Sequence, residues 1–566
     1  MSIEDVVMKR PFKIRNADEF ADQSVLELFI DPTSGVSGPF DFGNEIIKGK
    51  MGTGKTMYLR ANYIYYLSIL VPSMIEGAEL VLPIYIKLSD YQNVDNPEQI
   101  YFKIIIRMIH EILNTSERIK SATELAMLHT GIRDNTFGVW VDSLKNQEII
   151  SRIDKMTSEE YIEQVTTEIK CQGSIGNKFI NACGEYGKNQ FLELKKKTSP
   201  SIEDVVAAYN AILRPINAKL LILFDEVGSI NKCFFEERGT ASLFETLMNQ
   251  LRTLDFLRTK IAIYPHTFAD ILTETRYGDV VVLEDDIYTS SCYDTFLPKA
   301  ISVAEKYLSS AIGSSVDVED VFDITKKDMR LFEQIIYASG GNMRRLVQLL
   351  DSTLNECYLR CKATEKANIE DAHNAIIRQA EKMLGLYHGS DSEFLSNLTL
   401  ACKNRTAYRF RFPYKSPVLL KYTSKSEEFN IIQIREIGSG RRGTIYWFDY
   451  SYCVYADIPT HYQYNSEKIA RSRSIHEGAW ITRITQITDE LLLQTSLPGK
   501  IEGSITYLNS ERTVGFINNG MRDDIFFTRD TIVQSDRHVQ LVRGQKVRFI
   551  QIVSGKSYSA HEIELI

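Results

Sequence analysis

The stretch "EIIKGKMGTGKTMYLRANYIYYL", Glu45 to Leu67, decides the fold. A short apolar strand leads into Gly49, Lys50, Met51, Gly52, Thr53, Gly54, Lys55 and Thr56, and a helical pattern follows. These eight residues complete G-x-x-x-x-G-K-[ST]. Glycines at such positions let backbone N–H groups close around phosphate oxygens with no Cβ in the way. Lys55 is placed to reach the β- and γ-phosphates, and the Thr56 hydroxyl to bind Mg²⁺. A helix beginning at Lys55 points its positive end at the same anion. The other reading is a glycine-rich turn. The strand–loop–helix context argues for the phosphate loop.

A phosphate loop needs a second strand ending in a carboxylate. "LLILFDE", Leu220 to Glu226, is an apolar run with two acids at its end. Buried parallel strands have this form, and ligands bind beyond their carboxyl ends. Asp225 is expected to serve the Mg²⁺ shell, and Glu226 to orient the water that attacks the γ-phosphate. Three more runs read as strands: "LVLPIYIKL" (Leu80–Leu88), "KIAIYPHT" (Lys260–Thr267) and "DVVVLED" (Asp279–Asp285). Leu80–Leu88 is expected to be the added strand that separates the loop strand from the acidic strand. Helical segments divide all of these, so the fold class is α/β with a mainly parallel sheet.

The 566 residues are 44% hydrophobic and 25% charged, with a net charge of −8. Several domains are expected. The charge excludes a protein that coats nucleic acid with its whole surface, so any such site is local. Eight cysteines form no close CxxC pair. That usage fits a reducing cytosol. The N-terminus lacks the apolar core of a signal peptide, and no run suits a membrane span. A cytoplasmic location without membrane contact is expected. Cys357, Cys361 and His373 allow a metal site, although core thiols explain the two cysteines equally simply.

The order of motifs resembles the AAA+ ATPases, in particular their origin-recognition/Cdc6-like branch, over roughly Met1 to Leu384. The resemblance implies ATP and Mg²⁺ as cofactors and ATP hydrolysis as the activity. It also implies a homo-oligomer, with Arg276 of "TETRYGD" reaching a neighbouring subunit's nucleotide. His266 or Thr267 stands at the first sensor. "SGGNMRRLVQLL" (Ser339–Leu350) resembles the second-sensor helix, with Arg344 as its arginine. A guanidinium there stabilises transition-state charge. The resemblance implies a core over 1–300, interrupted by a helical insertion at about 91–205, and a helical lid over 301–388. The insertion departs from the family pattern.

Beyond the lid, Asp391 to Lys500 holds 15 Lys and Arg against 11 Asp and Glu. Tyr408, Phe410, Phe412 and Tyr414 alternate with Arg409 and Arg411, so a strand would put rings on one face and guanidiniums on the other. "NIIQIREIGSGRRGTIYWFDY" reads as a hairpin with Arg441 and Arg442 at its tip. Helices followed by a basic hairpin suggest a winged-helix-like module over 391–497, gripping phosphates. A β-rich packing domain remains open.

The tail, 499–566, has five alternating runs separated by turn residues and reads as a small five-stranded barrel. It resembles a cold-shock domain, an OB fold that binds single-stranded DNA or RNA. Tyr507, Phe516 and Phe526 fall on its base-stacking positions, while Val514, Thr528 and Arg529 replace others. The alternative puts Phe516 and Phe526 in the barrel core and makes the domain a protein-binding one. An initiator-like ATPase joined to such a barrel resembles the effectors of one class of bacterial retron antiphage systems. That resemblance implies a toxic or growth-arresting effector, with a reverse transcriptase and its RNA–DNA product as partners. A replication-initiator or loader-like ATPase and a nucleotide-gated signalling switch are the other readings.

Overall fold

The computed structural model describes residues 2–32, 38–113, 201–264, 278–458 and 500–566, apart from short breaks within them, and a strand at 484–486. Most of the expected insertion lies outside the described residues, as do His266, Thr267, Arg276, Tyr414, Arg441 and Arg442. The chain forms two compact units. Met1–Asp285, Thr295–Asp320 and Gly341–Asp351 make the first, and Asp286–Asp294, Val321–Gly340 and Ser352–Ile566 the second.

The first unit is built on a parallel sheet of β1 (Glu45–Lys48), β2 (Leu80–Lys87), β3 (Ala218–Asp225), β4 (Leu257–Ile263) and β5 (Asp279–Val282). Its order is β2-β3-β4-β1-β5. The strand between the loop strand and the acidic strand is therefore β4, and β2 lies at the edge beyond β3. This corrects the expectation for Leu80–Leu88. The helix Lys55–Glu76 packs against β4, β3 and β2. The first crossover thus carries the chain past two positions, which later strands fill. Leu220 to Phe224 are fully buried, as a continuous apolar run in a covered sheet requires. Helices Pro97–Leu113 and Ile202–Ile212, at the two ends of the insertion, pack on each other.

A buried polar group fixes how β1, β4 and the phosphate-loop helix meet. Lys260 has 0% exposure and donates to Glu45 Oε1 at 2.9 Å and to the Pro39 carbonyl at 2.8 Å. Tyr58, in the first turn of that helix, donates to Glu45 Oε2 at 2.8 Å. Glu45 also faces Lys260 in the β1–β4 register. Burial opposes both charges, raising the Glu45 pKa and lowering that of Lys260, while their attraction offsets it.

In the second unit, helices Arg330–Ser339 and Ile369–Leu384 pack together. Asn368 and Asp371 form a capping box at the start of the latter, and Arg360 grips Asp371 at 2.9 and 3.0 Å. Cys357 is buried, and burial pushes its thiol up to about 12. Its sulfur lies 3.9 Å from that of Cys361. Among the described residues no group of three or more His, Cys, Asp or Glu is placed to hold a metal. A mixed sheet follows, ordered β7 (Ile432–Glu436), β8 (Thr444–Phe448), β6 (Arg409–Phe412), β9 (Ile484–Gln486). β7 and β8 pair antiparallel as the hairpin reading expects. Phe410 and Phe412 are buried, and the intervening arginines are not. Arg409 nonetheless lies over the rings of Tyr408 and Trp447.

The C-terminal barrel is closed: β10 (Ile501–Leu508), β11 (Val514–Asn518), β12 (Ile525–Thr528), β14 (Ser557–Leu565) and β13 (Lys546–Ser554). Ile505, Ile517, Ile525, Phe527, Phe549 and Ile563 fill it. Closed five-stranded topology fits an OB fold. Among the described residues no helix is long and apolar enough to cross a membrane.

Breaking the Lys260–Glu45 pair from one side strands a buried charge. Lys260→Met is expected to cost about 3–5 kcal/mol in chemical denaturation, and adding Glu45→Leu to recover most of it.

Candidate functional site

The phosphate loop closes on itself through its own carbonyls. Lys55 Nζ donates to Gly49 O and Lys50 O, both at 2.6 Å, and Thr53 Oγ1 to Lys50 O at 2.9 Å. Gly52 and Gly54 have φ of 84° and 100°, in the region that favours glycine. A Cβ on Gly52 would also lie 2.4 Å from Asn342 Oδ1. Asn342 Nδ2 donates to Met51 O at 2.6 Å, and the Arg344 N–H donates to Gly52 O at 3.1 Å. The start of the helix Met343–Cys361 is therefore bonded directly to the loop.

Asp225 ends β3 at 2% exposure. Burial raises its pKa, opposed by hydrogen bonds from Tyr85, the Glu226 N–H and Thr56. Tyr85 Oη donates to Oδ2 at 2.5 Å and Glu226 N to Oδ1 at 2.8 Å. Burial, and then the Asp225 charge, push the Tyr85 phenol far up, so it stays a donor. The hydroxyl and carboxylate expected to serve Mg²⁺ thus touch. Their oxygen chemistry suits that ion. Glu226 follows with φ 55° and ψ 38°. A non-glycine residue in the left-handed region is uncommon, and it directs the next turn away from the strand.

One cavity of about 460 Å³ is lined by Gly52, Gly54, Lys55, Thr56, Asp225, Glu226 and Arg344. Part of the lining was not legible in the sequence: Arg15, Phe20, Phe29 and Tyr307 belong to it as well. Phe20 meets Tyr307 edge-on at 5.7 Å, and Arg15 pairs with Asp351 at 2.6 Å. Tyr85 and Asn342 were also missed. Each acts across the sheet or from a distant helix, and no local pattern marks them.

On the barrel, Tyr507, Phe516 and Phe526 are 54%, 36% and 40% exposed, so they are not core. Phe516 stands opposite both Tyr507 and Phe526 in the strand register. Ring centroids are 6.0 and 5.8 Å apart. A register shift between Ile505 and Tyr507 brings Tyr507 to this outer face. Strict alternation from buried Ile505 would have turned it inward.

Because the Tyr85 hydroxyl favours the ionised form of Asp225, Tyr85→Phe raises that carboxyl's pKa further. The acid limb of the pH profile for Mg²⁺-dependent nucleotide binding is expected to move to higher pH. Titration with a fluorescent nucleotide from pH 5 to 8 checks this.

Residues 10–74 match the family model described as ORC-CDC6-like. The match spans β1, the phosphate loop and most of its helix, and it supports an ATP-binding AAA+ ATPase of ORC/Cdc6-like type. No curated protein matches the chain.

Proposed function

We propose that the chain binds and hydrolyses ATP and uses its nucleotide state to control contact with single-stranded nucleic acid. The observation that carries the first half is the convergence of Lys55, Thr56, Asp225, Glu226 and Arg344 on one cavity. Lys55 would hold the β- and γ-phosphate oxygens, and the aromatic side chains Phe20, Phe29 and Tyr307 of the same lining would take the base. Thr56 and Asp225 would hold Mg²⁺, which when bound neutralises phosphate charge. Glu226 would orient the attacking water, and Arg344 would stabilise charge on the transferring group. Arg276 is assigned to a neighbouring subunit's site in a homo-oligomer.

The three exposed rings support the second half. Each offers a face on which one base stacks, and stacking tolerates any sequence. The winged-helix-like module, with Arg441 and Arg442, would add phosphate contacts.

As a finer reading, the chain is the effector of a retron-type defence system, restrained by a reverse transcriptase and its RNA–DNA product. Only the order of modules supports this step. Co-purification of an RNA–DNA hybrid tests it. A replication protein in its place favours the loader reading, and nucleotide-dependent assembly without turnover favours the signalling switch.

Lys55→Ala is expected to abolish ATP binding. Glu226→Gln should retain binding and lose at least about 100-fold in turnover; an unslowed variant removes Glu226 from its role. Tyr507→Ala and Phe516→Ala should each weaken binding to oligo(dT) or oligo(U) by about 1–3 kcal/mol in fluorescence anisotropy. Unchanged affinity with an intact barrel reassigns this face to protein contact.

A further inference from the structure

Tyr264 follows directly on β4, the strand between the phosphate-loop strand and the Asp225 strand. The Ile263 carbonyl accepts the Gly49 N–H at 3.3 Å, which sets residue 264 level with the start of the loop. Lys55 Nζ lies 4.1 Å from the centroid of the Tyr264 ring. The ring also reaches Gly228. A Cβ built there would sit 2.8 Å from Cδ2, closer than real Cβ atoms approach, and 3.0 Å from Cε2. Gly228 belongs to the short turn Val227–Ser229, which follows Glu226 and is closed by Ser229 N donating to Glu226 O at 2.9 Å.

We propose that Tyr264 is a positioning residue for ATP: its ring face directs the Lys55 ammonium at the phosphates and ties that ammonium to the turn after Glu226. This rests on the reading of the cavity as an ATP site. A ring suits the task better than an acid. Its quadrupole attracts the ammonium and fixes its direction, yet leaves the full positive charge for phosphate oxygens. A carboxylate at the same distance would neutralise that charge and compete with the nucleotide. The missing Cβ at Gly228 is what admits the ring. Gly228 is not among the residues with positive φ, so alanine there meets the ring rather than a backbone restriction.

The experiment measures equilibrium binding of a fluorescent ATP analogue to the full-length chain, with thermal unfolding of each variant as a check. Tyr264→Leu is expected to weaken binding about tenfold, and Tyr264→Phe to restore affinity to within about twofold of wild type. Gly228→Ala should match Tyr264→Leu, because its methyl displaces the ring without touching Lys55. Wild-type affinity in Tyr264→Leu overturns the proposal. So does a loss in Tyr264→Phe equal to that in Tyr264→Leu, which would assign the effect to the hydroxyl. If Tyr264→Leu does not fold, Gly228→Ala decides, and wild-type affinity in that folded variant overturns the proposal. A wild-type chain that binds no better than Lys55→Ala overturns the ATP reading of the cavity, and the proposal falls with it. Wild-type binding that Tyr264 and Gly228 leave untouched overturns the proposal alone.

Discussion

Glu45 accepts from two directions at once, from Lys260 on β4 and from Tyr58 on the phosphate-loop helix. A charge that fully buried is tolerated only with its partners in place. The three elements therefore cannot slide independently. Shifting β4 by one residue would bury Lys260 without its acid and turn the strand's other side chains to the wrong faces. The register that satisfies Glu45 at the start of β1 also sets the height at which both strands emerge at their far ends. The loop and Tyr264 are positioned from below.

Above the sheet, hydrogen bonds to its own carbonyls hold the loop. Lys55 closes it from within, and Asn342 and the Arg344 N–H bind it from the start of the helix Met343–Cys361. The carbonyls of Met51 and Gly52 are thus engaged, while the cavity side keeps Lys55, Thr56 and the ends of β3 and β4. On the other side Asp225 is held by three hydrogen bonds in a nearly dry setting. Rigid support of this kind suits a site that handles concentrated negative charge, because little reorganisation is needed when that charge arrives.

Local patterns made the phosphate loop, the apolar acidic strand, the β7–β8 hairpin and the barrel legible in the sequence. Each is a short run whose periodicity or glycine placement states its own geometry. What the sequence hid was lateral. That β4 rather than β2 separates the two motif strands depends on how far the first crossover reaches, and no residue in Leu80–Lys87 records that. Phe20 lines the cavity, Tyr85 holds Asp225 and Asn342 holds the loop at Met51, each from an element far away in the chain. Tyr264 lies in the apolar run that begins at Lys260, but its ring acquires meaning only beside Lys55 and Gly228. For Phe516 and Phe526, alternation around buried Ile517, Ile525 and Phe527 marks the outer face directly.

Tyr507 shares that outer face because its strand carries one residue more than its partner between Ile505 and Tyr507. A surface of two rings becomes one of three through this bulge, with no aromatic exchanged for anything else. A regular register with the same residues would therefore turn the Tyr507 ring inward, while every tyrosine and phenylalanine stayed in the sequence. A comparison of sequences alone would count such a chain as fully conserved while its third ring faced the barrel interior.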